Sequence, residues 1–317
     1  MRLRVLNMAD VSECPDVLDS LAEVAEVVSL PADQSVLLER IFEFDAYLAS
    51  LQVRVTREVL ERAERLRVIA TPSTGLDHID VPFAESRKVV VLSLRHDTEF
   101  LDSITATAEL AWALLLATVR RLPWAFDAAK SGRWARDEFR GHQLSGKTLG
   151  ILGYGRLGRI VAEYGKAFRM RVIACDVREV KAADGVQMVD FDTLLRESDV
   201  LSLHIHLTEE NRGIINAEAF ANMKHGAVVV NTSRGAIIDE RAFLDALVSG
   251  QLGGAGVDVI EGEWDEDLSR HPLIRYANEH ENLVISPHIG GVTHESQRMV
   301  YEHTVSKLLD YLEQSRG

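Results

Sequence analysis

The chain has 317 residues, enough for about two domains, and its 46% hydrophobic and 26% charged residues are ordinary for a globular protein. Its formal net charge of −14 argues against nucleic-acid binding, which needs a cationic surface. The 2 cysteines form no C-x-x-C pair and no metal-ligand spacing, so we expect no metal site and a reducing, cytoplasmic location. The longest apolar helical run, Leu110 to Val119, is far shorter than the roughly 20 residues that span a membrane, so we expect no membrane contact.

Short apolar runs alternate with helical patterns through the first half of the chain. Helices are predicted between the apolar runs, for example Ser35 to Phe44 and Arg57 to Arg65. The alternation predicts a parallel sheet with helices on both faces. The predicted strands are Leu3 to Leu6, Val24 to Leu30, Ala46 to Ala49, Leu66 to Thr71 and Val89 to Leu92.

The middle of the chain differs from both halves. Ser103 to Arg121 is rich in alanine and leucine and predicts a long helix that joins two domains. Pro123 to Leu144 reads as irregular and is unusually aromatic. Exposed aromatic side chains there would indicate a subunit interface, whereas the alternative is that they cover a domain edge. These aromatic residues are Trp124, Phe126, Trp134 and Phe139.

The second half repeats the strand–helix alternation, and Glu295 to Glu313 predicts a terminal helix that returns to the first domain. We therefore predict an α/β protein with two doubly wound parallel-sheet domains, a Rossmann domain inserted in a flavodoxin-like domain. The predicted boundaries are 1–100 with 290–317 for the discontinuous domain and 101–289 for the inserted one. The second-half strands are Leu149 to Leu152, Val172 to Cys175, Val200 to His204, Ala227 to Asn231, Ala255 to Val259 and Leu283 to Ser286.

A glycine-rich loop lies between the first strand and the first helix of the second half. The first glycine permits a tight turn, the second lets a pyrophosphate approach the backbone, and the third lets the helix pack on the strand. The helix N-terminus that follows favours phosphate. Asp176 ends the next strand, where it would accept hydrogen bonds from the adenosine ribose. The loop residues predicted to bind a dinucleotide are Gly153, Gly155, Arg156, Leu157 and Gly158.

Asp176 also bears on which dinucleotide binds. Its charge would repel the 2′-phosphate of NADP, so NAD is favoured over NADP. Arg178 is the counter-argument, since it would pair either with such a phosphate or simply with Asp176.

Several residues that follow strands of the second half have charged or titratable side chains, where turn-forming residues would be ordinary. Ligands bind beyond the carboxyl ends of the strands in an open parallel sheet. His204, Arg234, Asp258, Glu263 and His288 all follow such strands. Their convergence on one edge predicts an active site there.

These positions resemble the D-isomer-specific 2-hydroxyacid dehydrogenases over nearly the whole chain. The resemblance implies that Arg234 holds the substrate carboxylate and polarises the 2-oxo group. It implies that His288 is the general acid in reduction and that Glu263 stabilises the protonated imidazole, with Glu261 a rival if the loop is displaced by two residues. The matching blocks are Asn231 to Gly235, Val257 to Val259 with Glu263, Ser286 to Gly291, Thr74 to Asp80 and Leu207–Thr208.

The resemblance also implies the wider organisation of the protein. Residues 1–100 with 290–317 would be the substrate domain and 101–289 the NAD-binding domain. The substrate would be a small 2-oxo or 2-hydroxy acid, and the protein a homodimer. Asp258 would bind the nicotinamide carboxamide, although a loop cap is the alternative reading. Cofactor-binding roles fall on Thr105, His204 and Thr232, and substrate-binding roles on Ser73, Thr74 and Gly75.

Two alternative functions and one substrate are weighed against this reading. The family includes corepressors that sense NAD(H), and an intact Arg234, Glu263 and His288 does not exclude that function. Formate dehydrogenases pair glutamine with the histidine, so Glu263 argues against them. Phosphoglycerate-specific members carry an arginine around positions 50–52, where this chain has Ser-Leu-Gln with Arg54 nearby, and the missing arginine argues against 3-phosphoglycerate.

Overall fold

The computed structural model describes residues 2–265 and 267–315, and internal contacts divide the chain into two compact units. One unit comprises Met1–Ile104 and Val292–Gly317, and the other comprises Thr105–Gly291. The boundaries drawn from sequence, after residues 100 and 289, remain our prediction for the functional domains.

Each unit is built on a parallel sheet. The strands are β1 (Leu3–Asn7), β2 (Ala25–Ser29), β3 (Ala46–Leu48), β4 (Val68–Ala70), β5 (Val90–Leu92), β6 (Thr148–Leu152), β7 (Arg171–Cys175), β8 (Val186–Met188), β9 (Val200–Leu203), β10 (Ala227–Asn231), β11 (Leu252–Val257) and β12 (Leu283–Ile285). Within the described residues, the first sheet has the order β2-β1-β3-β4-β5 and the second the order β12-β11-β10-β9-β6-β7-β8. Strand order reverses at β1 and at β6, as doubly wound sheets require, and the predicted fold class is confirmed.

Helices connect the strands and cover the sheets. They are α1 (Asp19–Val24), α2 (Gln34–Arg40), α3 (Arg57–Arg62), α4 (Val81–Ser86), α5 (Thr98–Asp102), α6 (Ala106–Val119), α7 (Leu122–Lys130), α8 (Arg156–Ala167), α9 (Phe191–Glu197), α10 (Ala217–Asn222), α11 (Glu240–Val248), α12 (Pro272–Glu279) and α13 (His294–Gln314). The terminal helix α13 belongs to the first unit and packs on β4 through Val305 and Leu308.

The structure corrects two sequence-based expectations. The start of the segment predicted as irregular is the helix α7, because Pro123 at its first turn presets a helical φ and alanines follow. A further strand, β8, was not predicted, since its three residues alternate in burial too briefly to stand out.

The central strands of the second unit are buried on both faces. Successive valines of β10 point to opposite sides, Val229 into one apolar layer and Val228 and Val230 into the other. A strand buried on both faces has a continuous apolar sequence, and its polar residues begin only where it ends, at Asn231. The sheet therefore brings the functional side chains to its carboxyl edge.

Among the described residues, one helical stretch, Thr98–Val119 of 22 residues, is long and apolar enough to cross a membrane by length and composition alone. It is interrupted between α5 and α6, and α6 packs against β10, β11 and α8. Buried core helices of soluble proteins have the same length and composition.

Candidate active site

The glycine loop follows β6, and two of its glycines are required by close backbone contacts. Gly153 has a φ of 95°, and a Cβ there would lie 2.4 Å from the carbonyl oxygen of His204. A Cβ on Gly158 would lie 2.1 Å from the carbonyl oxygen of Gly153. No side chain fits at either position, so the tight turn and the helix–strand packing both depend on glycine.

Gly155 is different, because its missing side chain faces open space. Within 4 Å of a Cβ placed there, the single neighbouring atom in the described residues is Arg178 Nη2, at 3.5 Å. Gly155 is the N-cap of the 12-residue helix α8, Arg156 is the first residue of that helix, and Leu157 packs on the apolar core. The exposed backbone and the helix N-terminus form a cradle of the kind that binds a pyrophosphate.

Asp176 lies at the end of β7 beside this cradle, and its side chain is only 5% exposed. One oxygen accepts the Tyr154 amide at 2.9 Å, and the other accepts the amide and Nε of Arg178 at 2.9 and 3.0 Å. Burial raises the pKa of the Asp176 carboxyl, but the hydrogen bonds from Arg178 and Tyr154 outweigh it and lower the pKa overall. The sequence left two partners open for Arg178, a cofactor phosphate or Asp176, and in the structure Arg178 pairs with Asp176.

Three further predicted cofactor residues lie in the second unit. The Thr232 hydroxyl and His204 Nδ1 are shielded from solvent and have no hydrogen-bond partner among the described residues. His204 Nε2 lies 2.8 Å from Ser202 Oγ, and burial lowers the pKa of His204 to about 4. Thr105 donates to Glu109 at 2.5 Å. The unsatisfied Nδ1 of His204, whose backbone lies against Gly153, and the unsatisfied Thr232 hydroxyl fit a site completed by a polar ligand.

Arg234 follows β10 in a loop that is fixed by side-chain hydrogen bonds. The Asn231 carboxamide accepts the Ser233 amide and donates to the Arg234 carbonyl oxygen, both at 2.9 Å. Ser233 Oγ donates to the Leu203 carbonyl oxygen at 2.6 Å, and Arg234 Nη1 donates to the Ser233 carbonyl oxygen at 2.8 Å. Asn231 and Ser233 therefore orient the arginine, which sequence analysis did not foresee.

His288 and Glu263 form a close pair. His288 Nδ1 lies 2.6 Å from Glu263 Oε1, and the two side chains are 21% and 18% exposed. The Trp264 ring stacks on the imidazole with a centroid separation of 5.8 Å. Glu261, the rival, bonds Arg212 instead at 3.1 Å. The carboxylate that meets the histidine is thus that of Glu263.

Asp258 holds the backbone around His288, which has a left-handed φ of 54°. The Asp258 carbonyl oxygen accepts the His288 amide at 2.9 Å. The Asp258 carboxylate accepts the amides of Ile289 and Gly290 at 2.9 and 2.7 Å and the Ser286 hydroxyl at 2.5 Å. Burial raises the pKa of the Asp258 carboxyl against these bonds. Its side chain caps the loop, as the alternative reading supposed, and carboxamide binding remains a prediction.

The loops that carry Arg234, Glu263 and His288 are joined through their backbones. The Asp258 amide donates to the Asn231 carbonyl oxygen at 2.9 Å. Gly235 packs so tightly that a Cβ there would lie 2.2 Å from the Ile260 carbonyl carbon. The carboxyl ends of β10, β11 and β12 thus form one connected edge.

An apolar cavity of about 570 Å³ adjoins His288 in the same unit. Trp124 and Trp264 line it, whereas Phe126 and Trp134 of the aromatic segment are 58% and 87% exposed. The segment therefore lines a cavity through Trp124 and presents exposed aromatic surface, and its role as an interface or as the cover of a domain edge remains a prediction.

The predicted substrate loop, Ser73 to Gly75, lies in the first unit. The Ser73 hydroxyl accepts the Gly75 amide at 3.1 Å and donates to the Gly75 carbonyl oxygen at 3.0 Å. The Gly75 amide is therefore engaged within its own loop. Within residues 2–265 and 267–315, no cluster of side chains could hold a metal ion.

A doubly wound parallel sheet with a glycine loop at its strand-order reversal defines a dinucleotide-binding α/β protein. The sequence model of the D-isomer specific 2-hydroxyacid dehydrogenase, NAD binding domain, matches residues 112–290. The chain belongs to this family, as its resemblance predicted, and is an NAD-dependent D-2-hydroxyacid dehydrogenase.

Similar proteins include a hydroxypyruvate reductase of Thermotoga maritima, 39% identical over 92% of each chain. A glyoxylate reductase of Thermococcus litoralis is 38% identical over 88% of this chain and 83% of its own. Among solved structures, D-lactate dehydrogenase from Aquifex aeolicus, complexed with NAD and lactic acid, is 28% identical with a TM-score of 0.83, covering 98% of this chain and 96% of that one.

Proposed function

We propose that the protein interconverts a small 2-oxo acid and its D-2-hydroxy acid, with Arg234, His288 and Glu263 as the catalytic group. The observation that carries the proposal is the 2.6 Å contact between His288 Nδ1 and Glu263 Oε1. It lies at the carboxyl edge of the sheet that also bears the Arg234 loop and the glycine loop. Bound NADH supplies the hydride for the reduction.

The residues around the glycine loop would hold the cofactor. The backbone at Gly155 and the N-terminus of α8 suit the pyrophosphate, and Asp176 suits the ribose hydroxyls. Thr105, His204 and Thr232 would line the remainder of the site, and Asp258 would meet the carboxamide. The fit is supported by the shielded Thr232 hydroxyl and His204 Nδ1, which have no partner in the described part of the chain.

His288 would deliver the proton. Glu263 accepts a hydrogen bond from Nδ1, so Nε2 is the nitrogen left to donate a proton to the carbonyl oxygen during reduction. In oxidation the same nitrogen would take the proton from the hydroxyl group. The carboxylate stabilises the imidazolium and fixes the ring, the two tasks of a general acid's partner.

Arg234 would bind the substrate carboxylate as a fork and polarise the neighbouring carbonyl group. We propose substrate-binding roles for Ser73, Thr74 and Gly75 as well. Glyoxylate and hydroxypyruvate are the substrates to test first, given the names of the two similar reductases. Ser-Leu-Gln at positions 50–52 argues against a substrate phosphate.

The deciding experiment is a steady-state assay of NADH oxidation with glyoxylate, pyruvate and hydroxypyruvate, repeated with NADPH. We expect turnover with NADH, and we expect His288→Ala to lower kcat about 10²- to 10⁴-fold while NADH affinity is kept. Tight NADH binding without turnover of any 2-oxo acid would instead favour a regulatory, NAD(H)-sensing protein.

We further propose a cytoplasmic homodimer that uses α6 and the aromatic segment as its interface. Light scattering tests the assembly. A monomer at assay concentrations would contradict it.

A further inference from the structure

Outside the catalytic group, a carboxylate and an imidazole form a second close pair. Glu240 is the first residue of α11, and His271 is the N-cap of α12. Glu240 Oε2 lies 3.2 Å from His271 Nε2, and the side chains are 19% and 12% exposed. His271 Nδ1 accepts the Leu273 amide at 3.3 Å, so the ring proton lies on Nε2, facing the carboxylate.

Both members of this pair bond the backbone of Glu261. Glu240 Oε1 accepts the Glu261 amide at 2.6 Å, and His271 Nε2 lies 3.1 Å from the Glu261 carbonyl oxygen. The backbone amide and the backbone carbonyl group of Glu261 are thus hydrogen-bonded by side chains from two helices. Glu261 opens the turn that ends at Trp264 and contains Glu263.

The Glu261 backbone, which these two side chains hold, also packs against the loop that carries Arg234. A Cβ on Gly235 would lie 2.4 Å from the Glu261 nitrogen, so a shift of this backbone would be transmitted to the residue beside Arg234. Glu263 is two residues from Glu261 and reaches His288 at 2.6 Å. Hydrogen bonds at that distance lose strength steeply when the carboxylate moves.

We propose that Glu240 and His271 are positioning residues for the dehydrogenase reaction, which fix the Glu261 backbone and thereby direct the Glu263 carboxylate onto His288. The inference rests on the proposed function of Glu263 and His288. Neither Glu240 nor His271 touches the reacting atoms in this account, and they act only through the turn.

The charges around Glu240 agree with a structural carboxylate rather than a solvated one. Burial raises the pKa of the Glu240 carboxyl, and the nearby Glu261 carboxylate adds to the rise. The Glu261 amide and His271 act in the opposite direction, and Arg212 neutralises Glu261 on the outer side at 3.1 Å. A buried acid is retained at a cost, which is expected where its hydrogen bonds fix a particular backbone.

The test compares Glu240→Ala and Glu240→Gln with Asp239→Ala. Asp239 caps the same helix by accepting the Ala242 amide at 3.0 Å, so its removal weakens α11 without touching the turn. For each variant, kcat, the KM values for NADH and the 2-oxo acid, the pH profile of kcat in reduction and the unfolding temperature are measured.

We expect Glu240→Ala to lower kcat about 10- to 100-fold, the range for a displaced catalytic group, with the KM for NADH unchanged. As pH is raised, the reductive activity of Glu240→Ala should begin to decline at a lower pH than that of the wild type. The reason is that the His288 imidazolium is less well stabilised by a displaced Glu263 carboxylate. Glu240→Gln keeps an oxygen for the Glu261 amide but places an NH2 group against the His271 Nε2 proton, so it should recover part of kcat. Asp239→Ala should lower the unfolding temperature and leave kcat and its pH profile unchanged.

An unchanged kcat and pH profile in Glu240→Ala would overturn the inference, as would a failure of glutamine to recover kcat. If Glu240→Ala does not fold, His271→Asn replaces it, since asparagine still caps α12 but loses the Nε2 contact, and it should show the same pH displacement. Absence of turnover in the wild type would contradict the proposed function, whereas active wild type with an unaffected variant contradicts only this inference.

Discussion

His288 Nδ1 lies 2.6 Å from Glu263 Oε1, while the His288 backbone has a left-handed φ of 54°. A non-glycine residue in that region is strained by roughly 1–3 kcal/mol and persists only where its surroundings enforce it. Here Asp258 enforces it through hydrogen bonds to the backbone of residues 288–290. Side chain and backbone of the histidine are therefore held by two acids of the same loop, which gives separate predictions for each.

Glu263→Gln keeps the shape of the side chain and removes its charge. We expect kcat for reduction to fall about 10- to 100-fold, with the loss growing as pH rises, because the protonated imidazole is no longer stabilised by a carboxylate. The measurement is kcat against pH. Glu261→Gln is the matched control, and equal losses in both variants would contradict the assignment of Glu263.

Arg234→Lys keeps a positive charge but not the planar fork. We expect a higher KM for the 2-oxo acid and a kcat lowered by about 10²-fold, since lysine cannot contact the carboxylate and the carbonyl group together. NADH affinity, followed by fluorescence titration, should not change. If Arg234→Lys has wild-type kinetics, a bidentate contact of the Arg234 guanidinium is not part of the mechanism.

Asp258→Ala removes the acceptor for the Ile289 and Gly290 amides. We expect the unfolding free energy to fall by about 1–3 kcal/mol, because buried amides lose their partner, and kcat to fall at least tenfold as the histidine relaxes. NADH affinity separates the two roles of Asp258. A weaker affinity supports carboxamide binding, whereas an unchanged one leaves only the loop cap. Ser286→Ala, which removes one contact of Asp258, is the control.

Asp176→Ala should weaken NADH binding and raise the preference for NADPH over NADH at least about tenfold. The reason is that Arg178, now held by Asp176, becomes available to a 2′-phosphate, and the repelling charge is gone. The ratio of kcat/KM for the two cofactors measures this. The double variant with Arg178→Ala should lose the gain, and an unaltered preference in the single variant would contradict the role of Asp176.

His204 predicts a pH dependence of stability. Burial lowers the pKa of His204 to about 4, whereas an unfolded histidine titrates at about 6.5. The unfolded chain therefore binds a proton in this interval that the folded chain does not, so stability falls as pH decreases from about 6.5 to about 4, by on the order of 3 kcal/mol. In His204→Gln, which can still bond Ser202, unfolding temperatures should decline less over that range. An equal decline in both proteins would contradict the prediction.

The sequence was most informative where a pattern has one physical cause. The Gly153, Gly155 and Gly158 spacing predicted a tight turn, an open backbone and close helix packing. The structure has a steric reason for Gly153 and Gly158 and leaves the backbone at Gly155 open. The sequence was least informative where contacts join distant segments. The hydrogen bonds of Glu240 and His271 to Glu261 link the starts of two helices to one turn, and nothing in the spacing of those residues indicates these contacts. The helix α7 was missed because its aromatic residues masked an ordinary proline-initiated helix.

The sequence by itself determined the parallel α/β architecture, the nucleotide loop and the family, because strand–helix alternation and glycine spacing are local and periodic. Only the tertiary structure decided that Glu263 and not Glu261 meets His288, that Asp176 holds Arg178, and that Asp258 enforces a strained backbone. The first and third outcomes depend on contacts between segments that are distant in the chain and that the packed sheet brings together. The second depends on which of two available partners the Arg178 side chain meets.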